Sequence, residues 1–189
     1  MGWLATIFLT HRDDVGDHAK WASHFDATRI LHEGEVSLST EDVEVKLSGE
    51  GPWDLEGRAV APPEGAGSTG GSGDDDGGGA AAAGEATRLV FTPGHTSAHV
   101  CLYYAPEKVL FTGDHLSASR ERPEELHIFL DFNWYDVSTQ LASVSKLLDY
   151  NWLTVLPGHG RRWHGRDAEH RLRAVAGVVE RRGERVAAR

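Results

Sequence analysis

The chain has 189 residues, 40% of them hydrophobic, enough for one core of ordinary domain size. With 19 Lys and Arg against 29 Asp and Glu, its formal charge is −10, which argues against a chain whose main task is gripping phosphate backbones. One cysteine, Cys101, excludes an intramolecular disulfide framework and a Cys-rich zinc finger, and no apolar stretch approaches the roughly 18 to 20 residues that span a bilayer.

In chain order, Leu4 to Thr10 reads as a buried strand that ends in a polar cluster. Asp13 or Asp14 can cap a following helix, with Val15, Ala19 and Ala22 on one face. Val36 to Leu38 and Val43 to Leu47 read as two strands. Residues 57–86 hold Gly-rich, Asp-rich and Ala-rich runs with too little apolar surface to offset the entropy of ordering them, so they read as a disordered acidic insertion within one domain spanning 1–189. The strands on its two sides are expected to belong to one sheet.

After the insertion, Arg88 to Thr92, His99 to Tyr104 and Lys108 to Thr112 read as a meander, its last two strands joined by a turn at Pro106-Glu107. Val137, Leu141, Val144 and Leu148 form a helical stripe behind a capping Asp136, Trp152 to Leu156 is a further strand, and Asp167 to Val186 is a helix whose arginines suit a solvated face. The run Trp3 to Leu9 has neither a basic leader nor a small-residue cleavage site, and with the lack of disulfides this leads us to expect a cytoplasmic protein or one of an organelle interior.

Four strand ends carry residues of metal-ligand type: Thr10-His11-Arg12-Asp13-Asp14 with His18 following, Thr92-Pro93-Gly94-His95-Thr96, Phe111-Thr112-Gly113-Asp114-His115, and Leu156-Pro157-Gly158-His159-Gly160. A borderline-soft ion such as Zn²⁺ takes imidazole nitrogen and carboxylate oxygen at about 2.0 to 2.2 Å, and these ends supply both. Glycines beside His95, Asp114 and His159 let the backbone turn sharply. Taken singly each is weak, since a lone His beside a strand is more often packed than ligating.

Together and in this order, Thr-Pro-Gly-His-Thr, Phe-Thr-Gly-Asp and Leu-Pro-Gly-His-Gly after a strand ending in Thr-His resemble the metallo-β-lactamase superfamily, in particular its glyoxalase II-like hydrolases. The resemblance implies an α+β fold, a four-layer αββα sandwich, with one or two metal ions at the sheet edge: Zn²⁺, with Fe or Mn as alternatives. It implies His11, His95 and His159 as ligands and Asp114 as a bridging ligand that orients the attacking water. The usual first motif, His-x-His-x-Asp-His, is altered here: Asp13 stands where a histidine belongs, and Asp17-His18 comes two positions late. Asp13 is the carboxylate that would complete the first site. Asp14 and His18 sit at i and i+4 of a helix and would share an ion, unless His18 is simply packed. Asp14 or Asp17 would help hold the water.

The implied function is a metal-dependent hydrolase of a small thioester, ester or lactone. The alternatives are a non-catalytic binding protein on the same fold and a diiron redox protein. Neither nucleic acid nor a membrane is expected as a partner. The resemblance also places several strands ahead of the Thr-His motif, whereas about ten residues precede His11, so the first sheet is expected to be incomplete: either the chain is a fragment, or it borrows strands from a second copy or a strand-donating partner, or it exposes a strand edge. His99 is expected to pack, His115 to hydrogen-bond a ligand, and Phe129, Phe132, Trp134 and Tyr135 to fill the core or line the substrate pocket.

Overall fold

The computed structural model describes residues 5–13, 15–62 and 86–187, with side chains through residue 181. Alternation along the strands builds two main sheets, not one. In the first sheet β1 (Thr6–Phe8), β2 (Thr28–His32) and β3 (Val45–Leu47) run parallel, with Thr6 opposite Thr28 and Ile30 opposite Val45. The second is five-stranded. It contains β4 (Thr87–Phe91), β5 (Val100–Tyr104), β6 (Val109–Gly113), β9 (Thr154–Pro157) and β10 (Trp163–His164), in the order β10-β9-β6-β5-β4. Two short strands, β7 (Ser117–Ala118) and β8 (Leu126–His127), pair with each other between β6 and β9 in the sequence.

Successive strand residues point to opposite faces, and the core follows that period. Phe8, Ile30, Val45 and Leu47 of the first sheet meet Leu89, Phe91, Val100 and Leu102 of the second, around the buried Trp53. Trp53 also exchanges backbone bonds of 2.8 and 3.0 Å with Leu89, tying the loop after β3 to β4. The intervening residues of the second sheet, Val90, Cys101, Tyr103, Leu110 and Val155, face the other way. There they meet Leu141, Val144 and Leu147 and the α3 residues Ala174, Val175 and Val178, α2 spanning Val137–Lys146 and α3 Ala168–Ala187. On the outer face of the first sheet lie Ile7, Leu9 and Leu31 with Val43, and α1 (His18–Phe25) packs on that side. Helix, sheet, sheet and helix make the four layers expected, and the first sheet has three strands among the described residues. No helix of the described residues is long and apolar enough to cross a membrane.

Several local expectations are met. Asp136 caps α2 by accepting from the Thr139 amide at 2.6 Å, and the stripe Val137, Leu141, Val144 and Leu148 faces the core. Others are corrected. α1 starts at His18, behind Asp17, so Ala19 is exposed and the buried pair is His18 and Ala22. Val36 to Leu38 is not a strand: Val36 closes a 3-10 turn at Glu33–Glu35 and Leu38 is exposed. β2 was not expected at all. The insertion is shorter than 57–86, because Val60 donates to the Pro52 carbonyl at 2.9 Å and Ala86 accepts from Ala105 at 2.8 Å, while residues 63–85 lie outside the described residues. In α3 one arginine leaves the solvated face. Arg171 is buried and donates to the carbonyls of Tyr150 and Trp152 at 3.1 and 3.0 Å.

Arg29, within β2, explains why that strand is hard to read and is itself testable. Its guanidinium is buried on the outer face, 2.7 Å from Glu44, 3.1 Å from Asp42 and 3.4 Å from the His18 ring. The Arg29 hydrogen bonds hold the Glu44 carboxyl down at about 2 against its ordinary 4.5, although burial opposes them. A depressed carboxylate stabilises the fold above its unfolded value, and that contribution is lost as pH falls through its folded one. Glu44→Gln should therefore lower stability at pH 7 by about 1 kcal/mol, a figure already reduced for a half-exposed carboxylate. In urea titrations the gap from wild type should close as pH falls from 4.5 towards 2; a constant gap across that window would show that the charge of Glu44 is not what matters.

Candidate metal centre

Strand direction brings the candidate ligands to one edge. β5 is antiparallel to both β4 and β6, and β9 is parallel to β6, so the carboxyl ends of β4, β6 and β9 open on the same side. The end of β1 is fastened there too, because the Val100 amide donates to the Thr10 carbonyl at 2.9 Å. The loops beyond these ends carry His11, His95, Asp114 and His159.

Two glycines set how closely those loops approach. Gly94 has φ +138°, and a Cβ built on it would lie 2.2 Å from the Cα of Gln140 in α2. Gly113 has φ +48°, and its Cβ would lie 2.5 Å from Thr10 Oγ1 and 2.9 Å from His99 Nε2. The His95 loop is therefore seated directly on the helix, and the Asp114 loop directly on the end of β1.

The result is a cluster. One donor atom each from His11, His95 and Asp114 lies within 4.8 Å of the others, the only such three-residue group among the described residues. Asp114 Oδ2 is 3.8 Å from His11 Nε2 and 3.9 Å from His95 Nε2, too far for hydrogen bonds. Such separations suit atoms that each reach about 2.0 to 2.2 Å to a common cation. Both ring nitrogens of His95 are buried with no hydrogen-bond partner among the described residues, an expensive arrangement without a ligand. Burial, and then the nearby His11, lowers the His95 pKa, which keeps the imidazole in the neutral form that binds metals. His11 is oriented through Nδ1, which hydrogen-bonds with Thr10 Oγ1 at 2.9 Å and directs Nε2 into the cluster. The donor set present fits a divalent ion.

The other expected residues are placed differently. His159 is not in the three-donor group; its Nδ1 hydrogen-bonds at 2.8 Å to Asp114 Oδ1, whereas it is Oδ2 that approaches His11 and His95. Asp13 is exposed and lines the cavity above the cluster. His18 is not brought there: its Nε2 is 3.2 Å from the Ser39 carbonyl and its Nδ1 meets Arg29, so the packed alternative holds. Asp17 is not brought there either, but forms a surface ion pair with Lys20 at 2.9 Å. Both departures follow from α1 beginning at residue 18, which turns His18 towards β2. Asp14 lies outside the described residues.

Beneath the cluster lie two more imidazoles. His99 is fully buried, bonds through Nδ1 with Thr92 Oγ1 at 3.1 Å, and stacks between His11 and His115 with ring centroids 5.1 and 5.2 Å away. His115 does not hydrogen-bond a ligand as expected; neither ring nitrogen has a hydrogen-bond partner among the described residues, and burial pushes its pKa down to about 3. Above the cluster opens a cavity of about 890 Å³, lined by His95, Asp114, His159 and Arg120 and by Phe129, Phe132, Trp134 and Tyr135. Phe132, Trp134 and Tyr135 are 61%, 66% and 58% exposed, so they form its wall and do not fill the core. The sequence reading missed Glu35, whose buried carboxylate bonds the loops of both His11 and His95; an acid with no motif around it gives no signal.

Comparison with known proteins agrees with this architecture. The profile of the metallo-beta-lactamase superfamily matches residues 6–159. The lactamase-like protein adaB of Aspergillus niger is 31% identical over 114 residues, 56% of this chain and 33% of that protein. An atrochrysone carboxyl ACP thioesterase of Claviceps purpurea is 30% identical over 77 residues, covering 41% of this chain and 22% of that protein. The chain thus spans about a third or less of the length of these curated relatives. Among solved structures, that of TMB-1 superposes with a TM-score of 0.59 at 14% identity, over 92% of this chain and 68% of that one, a likeness of fold. By motif order, by the layered sheets and by the match across most of its length, the chain belongs to the metallo-beta-lactamase superfamily.

Proposed function

We propose that the chain is a metal-dependent hydrolase that directs water at a thioester or ester carbonyl. The observation that carries this reading is the convergence of His11, His95 and Asp114, from three separate strand ends, beneath a cavity of about 890 Å³. These three residues would hold a divalent ion. Two imidazoles and a carboxylate suit zinc, with iron or manganese as alternatives. When bound, such an ion polarises a carbonyl and brings the pKa of water towards 7.

The chain's own residues supply the rest. Asp114 is held by His159 on one oxygen, which fixes the other towards His11 and His95. His159 is thereby also the residue through which a second, weaker ion would be held. Asp13, exposed in the same cavity, takes the water-holding part that the sequence pattern leaves to Asp14 or Asp17. The aromatic wall suits a substrate with a ring-sized apolar group next to the scissile bond, and Arg120 offers a cation on the same cavity lining. Similarity to a protein named as a thioesterase supports a thioester over a lactone.

Zinc titration of the purified chain should show one tightly held equivalent. The loaded protein should hydrolyse aromatic acyl thioesters about 10-fold better than acetyl thioesters, a preference of the size a single pocket contact gives. A strong chelator should remove the activity. If no thioester, ester or lactone in a broad panel is turned over by the zinc-loaded chain, the hydrolase reading fails, and two equally tight ions would overturn the single-centre arrangement.

A further inference from the structure

The turn at Glu33–Glu35, just beyond β2, touches both loops that carry the histidines of the cluster. The Glu35 side chain has 0% exposure, and both its oxygens are in use. Oε2 accepts from the backbone amide of Arg12 at 3.2 Å and from Arg12 Nε at 2.8 Å, and Arg12 lies between His11 and Asp13. Oε1 accepts from the amide of Ala98 at 2.8 Å, three residues beyond His95. The neighbouring Gly34 completes the contact. Its carbonyl accepts from Arg12 Nη2 at 2.6 Å, and a Cβ on it would lie 2.8 Å from the Ala98 Cβ.

We propose that Glu35 is a positioning residue for the metal centre: by binding the His11 loop with one oxygen and the His95 loop with the other, it fixes the separation of the two imidazoles. The inference rests on the metal reading above. A carboxylate removed from water is costly unless paired and hydrogen-bonded, and here every bond that offsets the cost ends on one of the two ligand loops. A cation tolerates donor displacements of only a few tenths of an ångström. A group that fixes the spacing of two loops therefore acts on affinity without touching the ion, as partners behind metal ligands commonly do.

Glu35→Gln isolates the effect. Its amide oxygen still accepts from Ala98, while its NH₂ faces the Arg12 donors and breaks that side alone. Arg12→Met removes the side-chain part of that link from the exposed partner, the guanidinium bonds to Glu35 and to the Gly34 carbonyl, and leaves the backbone bond. The probe is Co²⁺, read by visible absorption and by chelator competition on the purified full chain. Each variant should bind Co²⁺ about 10- to 100-fold more weakly, with an altered spectrum. The double variant should be no weaker than Glu35→Gln alone, because Glu35→Gln already breaks the bond to the guanidinium that Arg12→Met removes. Val178→Ala, a core substitution in the packing of α3, should lower the melting temperature and leave Co²⁺ affinity and spectrum unchanged. Wild-type affinity and spectrum in folded Glu35→Gln would overturn the positioning role, and if that variant does not fold, the same result in Arg12→Met overturns the part of it that runs through the guanidinium. A wild-type chain that takes up no Co²⁺ would instead bring down the metal reading, and this inference with it.

Discussion

Replacing Asp114 by Ala should abolish metal-dependent hydrolysis, with turnover reduced about 10²- to 10³-fold or more, the scale on which removal of one charge-stabilising group acts. No other described residue meets so much of the cluster: its two oxygens lie 3.8, 3.9 and 2.8 Å from His11, His95 and His159. Without it the site keeps only imidazoles and loses the anion that would compensate a divalent charge. His95→Ala should have a similar effect, since its buried ring nitrogens have no hydrogen-bond partner among the described residues. Bound metal counted by mass spectrometry, alongside turnover, checks both. Full metal content and wild-type rates in either variant would show that these residues do not form the centre.

Gly94→Ala should destabilise the fold by about 3 kcal/mol or more, a large part of the roughly 5 to 15 kcal/mol that holds a domain together. Two costs combine. The residue sits at φ +138°, where side chains are strained, and the new methyl would lie 2.2 and 2.3 Å from backbone atoms of Gln140. Backbone in the first half of α2 cannot yield without breaking the bonds that seat the loop: Asp136 N–H to the Gly94 carbonyl at 3.0 Å, Trp134 N–H to the His95 carbonyl at 2.8 Å, and Asn133 Nδ2 to the Gly94 carbonyl at 2.7 Å. Urea unfolding measures the loss directly. A change within about 0.5 kcal/mol of wild type would mean that the loop and helix are less tightly engaged than the geometry requires.

The elements best read from sequence are those whose signal is local. The α2 stripe with its Asp136 cap, and the meander of β4, β5 and β6, declare themselves through period and turn residues, because one face of each must leave water. β2 was missed for the opposite reason. Arg29 stands within Thr28–His32, and such a strand is tolerable only once Glu44 and Asp42 reach its guanidinium from the neighbouring segment. The sheet assignment across the insertion failed because alternation tells which residues share a face but not which sheet that face belongs to.

Sequence by itself determined which chemistry is available: imidazoles and acids after apolar strands, with glycines placed so that the backbone can turn there. Only the tertiary structure decided which of them meet. His11, His95 and Asp114 converge because parallel strand directions bring distant loops to one edge, whereas His18, closer to His11 in sequence, is turned away to Arg29 by the helix that it starts. The same rule hid Glu35, whose two partners lie 23 and 63 residues away. Ligand identity is a property of residue type, and ligand geometry a property of long-range pairing that no local pattern encodes.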